Sequence, residues 1–134
     1  MILSKLAQRR LSTLINFMDS LPPSAADHFH MRFWFRHYGG DHEPTNNKGF
    51  ITKQTLRDCG TAACAAGWAA TIPSFRRAGL RVNTSGAISI LPEKFFDMLG
   101  GKTYPLAKKL FYGNDVKTPK QWAALAKKML DKYS

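Results

Sequence analysis

Two cysteines and four histidines are the side chains in this sequence best suited to nucleophilic or metal chemistry. Cys59 and Cys64 sit in Asp58-Cys59-Gly60-Thr61-Ala62-Ala63-Cys64-Ala65-Ala66-Gly67-Trp68-Ala69-Ala70. Thr61 reads as an N-cap for a helix over 62–71, which sets Cys59 just ahead of the helix start. There the helix dipole and free amides would stabilise a thiolate. Such a nucleophile needs a base, and His28, His30, His37 and His42 all lie upstream. Cys59 with His37 or His42 would make a thiol-dependent hydrolase. A second chemistry is zinc: His37-x4-His42 and Cys59-x4-Cys64 together offer four ligands. The cysteine spacing is at the outer limit of the usual zinc knuckle, which keeps about two to four residues between its cysteines, and the predicted helix start would separate Cys59 from Cys64.

The third reading of the same block is packing. Free cysteine behaves as a small buried hydrophobe. Cys64 and Trp68 are four apart and share a helical face, while Ala and Gly let another backbone come close. Papain-like chains place histidine after cysteine, the reverse of the order here. Their circularly permuted versions carry more strand than this sequence offers. Packing is therefore the preferred reading of Cys59, Cys64 and Trp68, with hydrolase and zinc module kept as alternatives.

A different chemistry lies in Arg32, Trp34, Arg36 and Tyr38, where cations interleave with rings. That combination holds single-stranded nucleic acid, neutralising phosphates and stacking bases. Arg76-Arg77 and Lys108-Lys109 add cationic pairs that folding could bring to the same face. The chain carries 20 Lys+Arg against 9 Asp+Glu over 134 residues, a formal charge of +11. This excess favours an anionic partner, either nucleic acid or an acidic protein surface. No RNP sequence, GXXG loop, Walker loop or G-x-S-x-G is present, and no cofactor is expected.

The elements that must position these groups read as follows. Leu3 to Leu21 is an amphipathic helix stopped by Pro22-Pro23. Ser24 with Asp27 suggests a capping box on a short helix. Residues 28–38 read as a strand or a helical turn, and Gly39 to Gln54 as a polar loop. Pro73 to Ala78 adds a turn closed by Gly79. Residues 80–82 and 87–90 flank a Gly-containing turn and suggest a small hairpin. Pro92 opens a helix ending near Gly100-Gly101, and Pro105 another ending near Gly113. Thr118-Pro119-Lys120-Gln121 caps a final amphipathic helix.

The Cys59-Gly60-Thr61-x-x-Cys64-x-x-Gly67-Trp68-Ala69 block, followed by Ile72-Pro73-x-Phe75 and preceded by Phe29-His30-Met31 and Trp34, resembles a pattern in small uncharacterised phage and prophage proteins. The resemblance extends through Phe95-Phe96 and Leu110-Phe111. It implies a phage or prophage origin and no particular activity.

The sequence thus reads as one mainly α domain over 1–134 with one small β-hairpin. The first and last helices are expected to pack around the small-residue helix, with Trp68, Trp122, Phe17, Leu14 and Leu125 in the core. The expected function is a non-catalytic basic binding module. Charge at Lys5, Arg9 and Arg10 interrupts the region where an apolar signal segment would run. A cytoplasmic chain is the expectation (host cytoplasm if phage-encoded), with its cysteines as thiols and no membrane partner.

Overall fold

The computed structural model describes residues 2–37, 50–57, 61–113 and 115–134, with the backbone alone at 37 and 57. The chain is mostly helical. Helix α1 (Lys5–Ser20) begins where the Ser4 hydroxyl accepts from the Ala7 amide at 3.1 Å. Helix α6 (Pro119–Tyr133) begins the same way, the Thr118 hydroxyl accepting from the Gln121 amide at 3.1 Å. The Gln121 side chain accepts from the Lys117 amide at 2.8 Å, so the sequence's capping box closes one residue further out than its usual form.

These two helices lie antiparallel against each other and form the most extensive contact between elements. The amides of Ile2 and Leu3 donate to the Tyr133 carbonyl, tying the start of α1 to the end of α6. At the other end Lys120 and Asp19 approach to 3.9 Å, an exposed pair worth little to stability. Leu11, Leu14, Met18, Trp122 and Ala126 are buried along the contact faces. Phe17 and Leu125 are only partly buried, at the margin of the core.

The middle of the chain departs from its sequence reading. The small-residue segment forms strand β2 (Thr61–Ala62) followed by a shorter helix, α2 (Ala65–Ala69). Cys64, not Thr61, occupies the N-cap position, and no side chain caps it. The reason is tertiary: Thr61 and Ala62 pair with strand β1 (Arg36–His37) in an antiparallel register that sets His37 opposite Thr61. Local capping preference yields to strand pairing. Helix α2 has its most extensive helix contact with α5 (Tyr104–Phe111) rather than with the α1–α6 pair, and meets α1 through Phe17, whose ring centre lies 6.4 Å from that of Trp68.

Other short elements adjust likewise. Pro23–His28 is a 3-10 turn with no side-chain cap, so the Ser24–Asp27 box does not form. Helix α3 (Pro73–Arg77) ends at Gly79, which has φ +104 as a helix-closing glycine requires. The hairpin is reduced to a turn held by one antiparallel bridge, Val82 to Ile88. Helix α4 (Pro92–Phe95) stops a turn early rather than reaching Gly100. Asp97 takes φ +56, and the Met98 amide donates to the Glu93 carbonyl at 2.7 Å. This is a Schellman-type close on a non-glycine residue, and the Asp97 carboxylate accepts from the Ser4 hydroxyl at 2.7 Å.

Closing there turns Phe95 and Phe96 inward. They join Phe75, Phe111 and Trp122 in a continuous aromatic cluster with centroid spacings of 4.9 to 6.0 Å. The buried Trp122 indole donates to the Leu110 carbonyl at 2.7 Å.

Candidate nucleic-acid interface

Residues 28–36 lie as a strap across the N-terminal end of α2. The Ala63 amide donates to the His28 carbonyl at 3.0 Å, the His30 amide to the Ala63 carbonyl at 2.9 Å, and the Cys64 amide to the Phe33 carbonyl at 2.7 Å. The Trp68 indole adds a bond to the His28 carbonyl at 3.0 Å. The strap thereby pairs the amides of Ala63 and Cys64, immediately ahead of the first turn of α2.

Gly67 makes this approach possible. A Cβ there would stand 2.7 Å from the Ala63 Cβ and closer still to the Trp34 carbonyl oxygen. The small-residue face thus admits the strap's backbone rather than another helix.

With the strap pinned, its side chains divide. Phe29, Met31 and Phe35 are buried; Arg32 and Arg36 are exposed; Phe33 and Trp34 are half-buried. Arg32, Phe33, Trp34 and Arg36 line a cleft of about 490 Å³, closed on the far side by Tyr112 and by the turn at Ser85-Gly86. The Arg36 guanidinium lies 4.8 Å from the Phe33 ring centre. Trp34 meets Tyr112 edge to face at 5.6 Å.

A second cleft, of about 450 Å³, shares Met31 and Arg32 with the first and runs past His30 and Lys117. The His30 ring contacts Phe33 at 5.2 Å. Arg32 therefore sits at the junction of a track carrying three cations (Arg36, Arg32 and Lys117) and rings from His30, Phe33, Trp34 and Tyr112.

Tyr112 is anchored from beneath. Its hydroxyl donates to both oxygens of Glu93, at 2.7 and 3.1 Å, and Glu93 is only 5% exposed. Desolvation, then the bond to that carboxylate, pushes the Tyr112 phenol well above its ordinary range, so it stays a neutral donor. The ring so held lines the cleft, and Tyr112 as a whole is 39% exposed.

The other sequence candidates fall elsewhere. Arg76 and Arg77 are on α3, and Lys108 and Lys109 are on α5; none of the four lines either cleft. The Lys108 ammonium stands over the Tyr104 ring instead, 5.8 Å from its centre. Tyr38, His42 and Cys59 lie outside the described residues, as does the His37 side chain.

Cys64 is fully buried, and desolvation pushes its thiol up to about 11, against weaker opposing help from backbone amides. A thiol in that setting keeps its proton, which suits core packing; the hydrolase alternative rests on Cys59, not on this thiol. Among the described residues, no three His, Cys, Asp or Glu side chains gather as a metal-binding group. None of the described helices is long and apolar enough to cross a membrane.

Phe33, Tyr112 and Lys117 belong to the track but were not among the sequence candidates, and His30 was weighed only as a base for Cys59. Tyr112 carried a faint signal as an aromatic residue just past the end of an amphipathic helix and before Gly113. Lys117 carried none, since its place depends on how α6 approaches the strap. No family model, curated protein or solved structure matches the chain.

Proposed function

We propose that the chain is a non-catalytic basic module that binds single-stranded nucleic acid along the track formed by the two clefts. The observation that carries this reading is the convergence of Arg32, Phe33, Trp34 and Arg36 with Tyr112 in one concave surface. Guanidinium groups suit phosphates, and ring faces suit unstacked bases of any sequence. An acidic protein face would use the cations and leave the rings without a purpose, so nucleic acid is the better match. The excess of positive charge would draw such a ligand in at long range. The likeness of the cysteine block to small phage and prophage proteins supports a phage setting, with the ligand met in the host cytoplasm.

The test is fluorescence anisotropy of a labelled single-stranded oligonucleotide titrated with the protein at several salt concentrations. If Arg32, Arg36 and Lys117 each neutralise one phosphate, log K should fall against log salt with a slope of about −2. Arg32→Ala with Arg36→Ala should weaken binding and flatten the slope to about −0.7 in a protein that stays folded, its melting temperature lower by no more than about 4 °C for the lost contact of Arg36 with the Phe33 ring. Trp34→Ala should weaken binding with little change in slope, because stacking releases no counterions. Equal affinity of the double-arginine variant and the wild type would remove the track from consideration.

A further inference from the structure

Away from the strap, the described surface carries a second feature with a different chemistry. Leu91, Leu99 and Tyr104 are 52%, 60% and 40% exposed, high values for large apolar side chains. All three line one groove of about 630 Å³, together with Ile90, Glu93 and Lys94. The early close of α4 creates it: the chain turns at Asp97, leaves Leu99 outside, and re-enters a helix at Tyr104. A cluster of exposed apolar side chains in one concavity is a common mark of an interaction site.

We propose that this groove docks an acidic amphipathic segment of another protein, lying helix-in-groove with its apolar side chains toward Leu91, Leu99 and Tyr104. The charges around the groove select that occupant. Lys94 lines it and is exposed, and Lys108 stands over the Tyr104 ring. Lys102 is exposed in the link between Leu99 and Tyr104.

Two acids stand nearby, Glu93 in the lining, where it accepts from the Tyr112 hydroxyl, and Asp97, which accepts from the Ser4 hydroxyl; the three lysines outnumber them, so the rim stays positive. An apolar floor with a lysine rim complements a segment that alternates apolar anchors with carboxylates. A second copy of this chain would bring like-charged rims together, each copy carrying +11 overall. Nucleic acid lacks the aliphatic anchors that Ile90, Leu91 and Leu99 would bury, and the Glu93 carboxylate in the lining would repel its phosphates.

A labelled synthetic helix of about 16 residues is the probe, with Leu at i, i+3/i+4 and i+7, Glu at the positions flanking them and Ala elsewhere to keep it helical. Three controls accompany it: the same composition with the Leu spacing scrambled, the same spacing with Lys for Glu, and anionic phosphatidylserine vesicles. Anisotropy and vesicle co-sedimentation are read on the full chain, and on Leu91→Ser with Leu99→Ser, whose exposed positions spare the core. Lys94→Glu with Lys108→Glu supplies an independent variant.

The expected result is binding of the acidic helix, weakened roughly tenfold or more in each double variant, with weak binding of both peptide controls. Oligonucleotide affinity should be unchanged in Leu91→Ser with Leu99→Ser, so this proposal and the nucleic-acid reading fail separately. The proposal is overturned by no binding of the acidic helix, by equal binding of the scrambled peptide, or by full affinity in the serine variant. Two further results would assign the groove to another occupant and also overturn it. One is wild-type dimerisation that the serine variant abolishes; the other is vesicle binding that depends on Leu91 and Leu99.

Discussion

Gly67→Ala is the substitution whose expected effect changes sign between sequence and structure. Read as a helix position, it should stabilise, because Ala is favoured over Gly by about 1 kcal/mol in a helix interior. In the folded chain the new methyl group would overlap the Trp34 carbonyl oxygen and stand 2.7 Å from the Ala63 Cβ. The obstacle is backbone, so no rotamer change relieves it.

The strap must lift, which strains or breaks the 2.7 Å bond from the Cys64 amide to the Phe33 carbonyl. Overpacking costs about 1–3 kcal/mol, and a buried amide left without its acceptor about 1–3 kcal/mol more. After the helix-propensity gain, a net loss of about 3 kcal/mol is expected. At about 3–4 °C per kcal/mol for a domain of this size, the melting temperature should fall by about 10 °C.

Urea unfolding followed by circular dichroism measures it: the midpoint should fall at unchanged slope. Because the strap carries Arg32, Trp34 and Arg36, oligonucleotide affinity should fall even where the variant remains folded. A variant as stable as the wild type, or more so, would show that the strap does not lie against Gly67 and would refute the architecture of the cleft.

Three further outcomes follow from the same contacts. Tyr112→Phe removes the hydroxyl that donates to the buried Glu93 carboxylate, and urea unfolding should show a loss of about 1–3 kcal/mol. Cys64 has its folded-state thiol raised to about 11 from an ordinary 9.0, so the unfolded chain releases its proton first. Its contribution to stability is then intact below pH 9 and is lost as pH rises from 9 to 11, by about 2–3 kcal/mol in all. Stability of the wild type relative to Cys64→Ala, measured across that range, should fall accordingly; a flat difference would contradict the burial. Thr118→Ala removes the hydroxyl that accepts from the Gln121 amide and should cost about 1 kcal/mol by thermal melting.

Where an element's own residues supplied both the stop signals and the packing face, its type was legible from sequence alone. Helices α1 and α6 carry a hydroxyl cap, a proline boundary and an unbroken apolar stripe, and they form close to the expected limits. The excess positive charge and the alternation of Arg32, Trp34 and Arg36 with their neighbours were equally readable, because they are properties of composition and order. The segment around the cysteines was not. Its Thr61 looks like a cap, but strand β1 offers hydrogen-bond partners from far along the chain, and pairing prevails.

Tertiary contacts alone decided three further features: that Gly67 admits a carbonyl rather than a helix, that Tyr112 and Lys117 join the strap's cations, and that Leu91, Leu99 and Tyr104 share one groove. Each depends on approaches between residues distant in the chain, whose free energies come from burial and hydrogen bonding that local propensity does not contain.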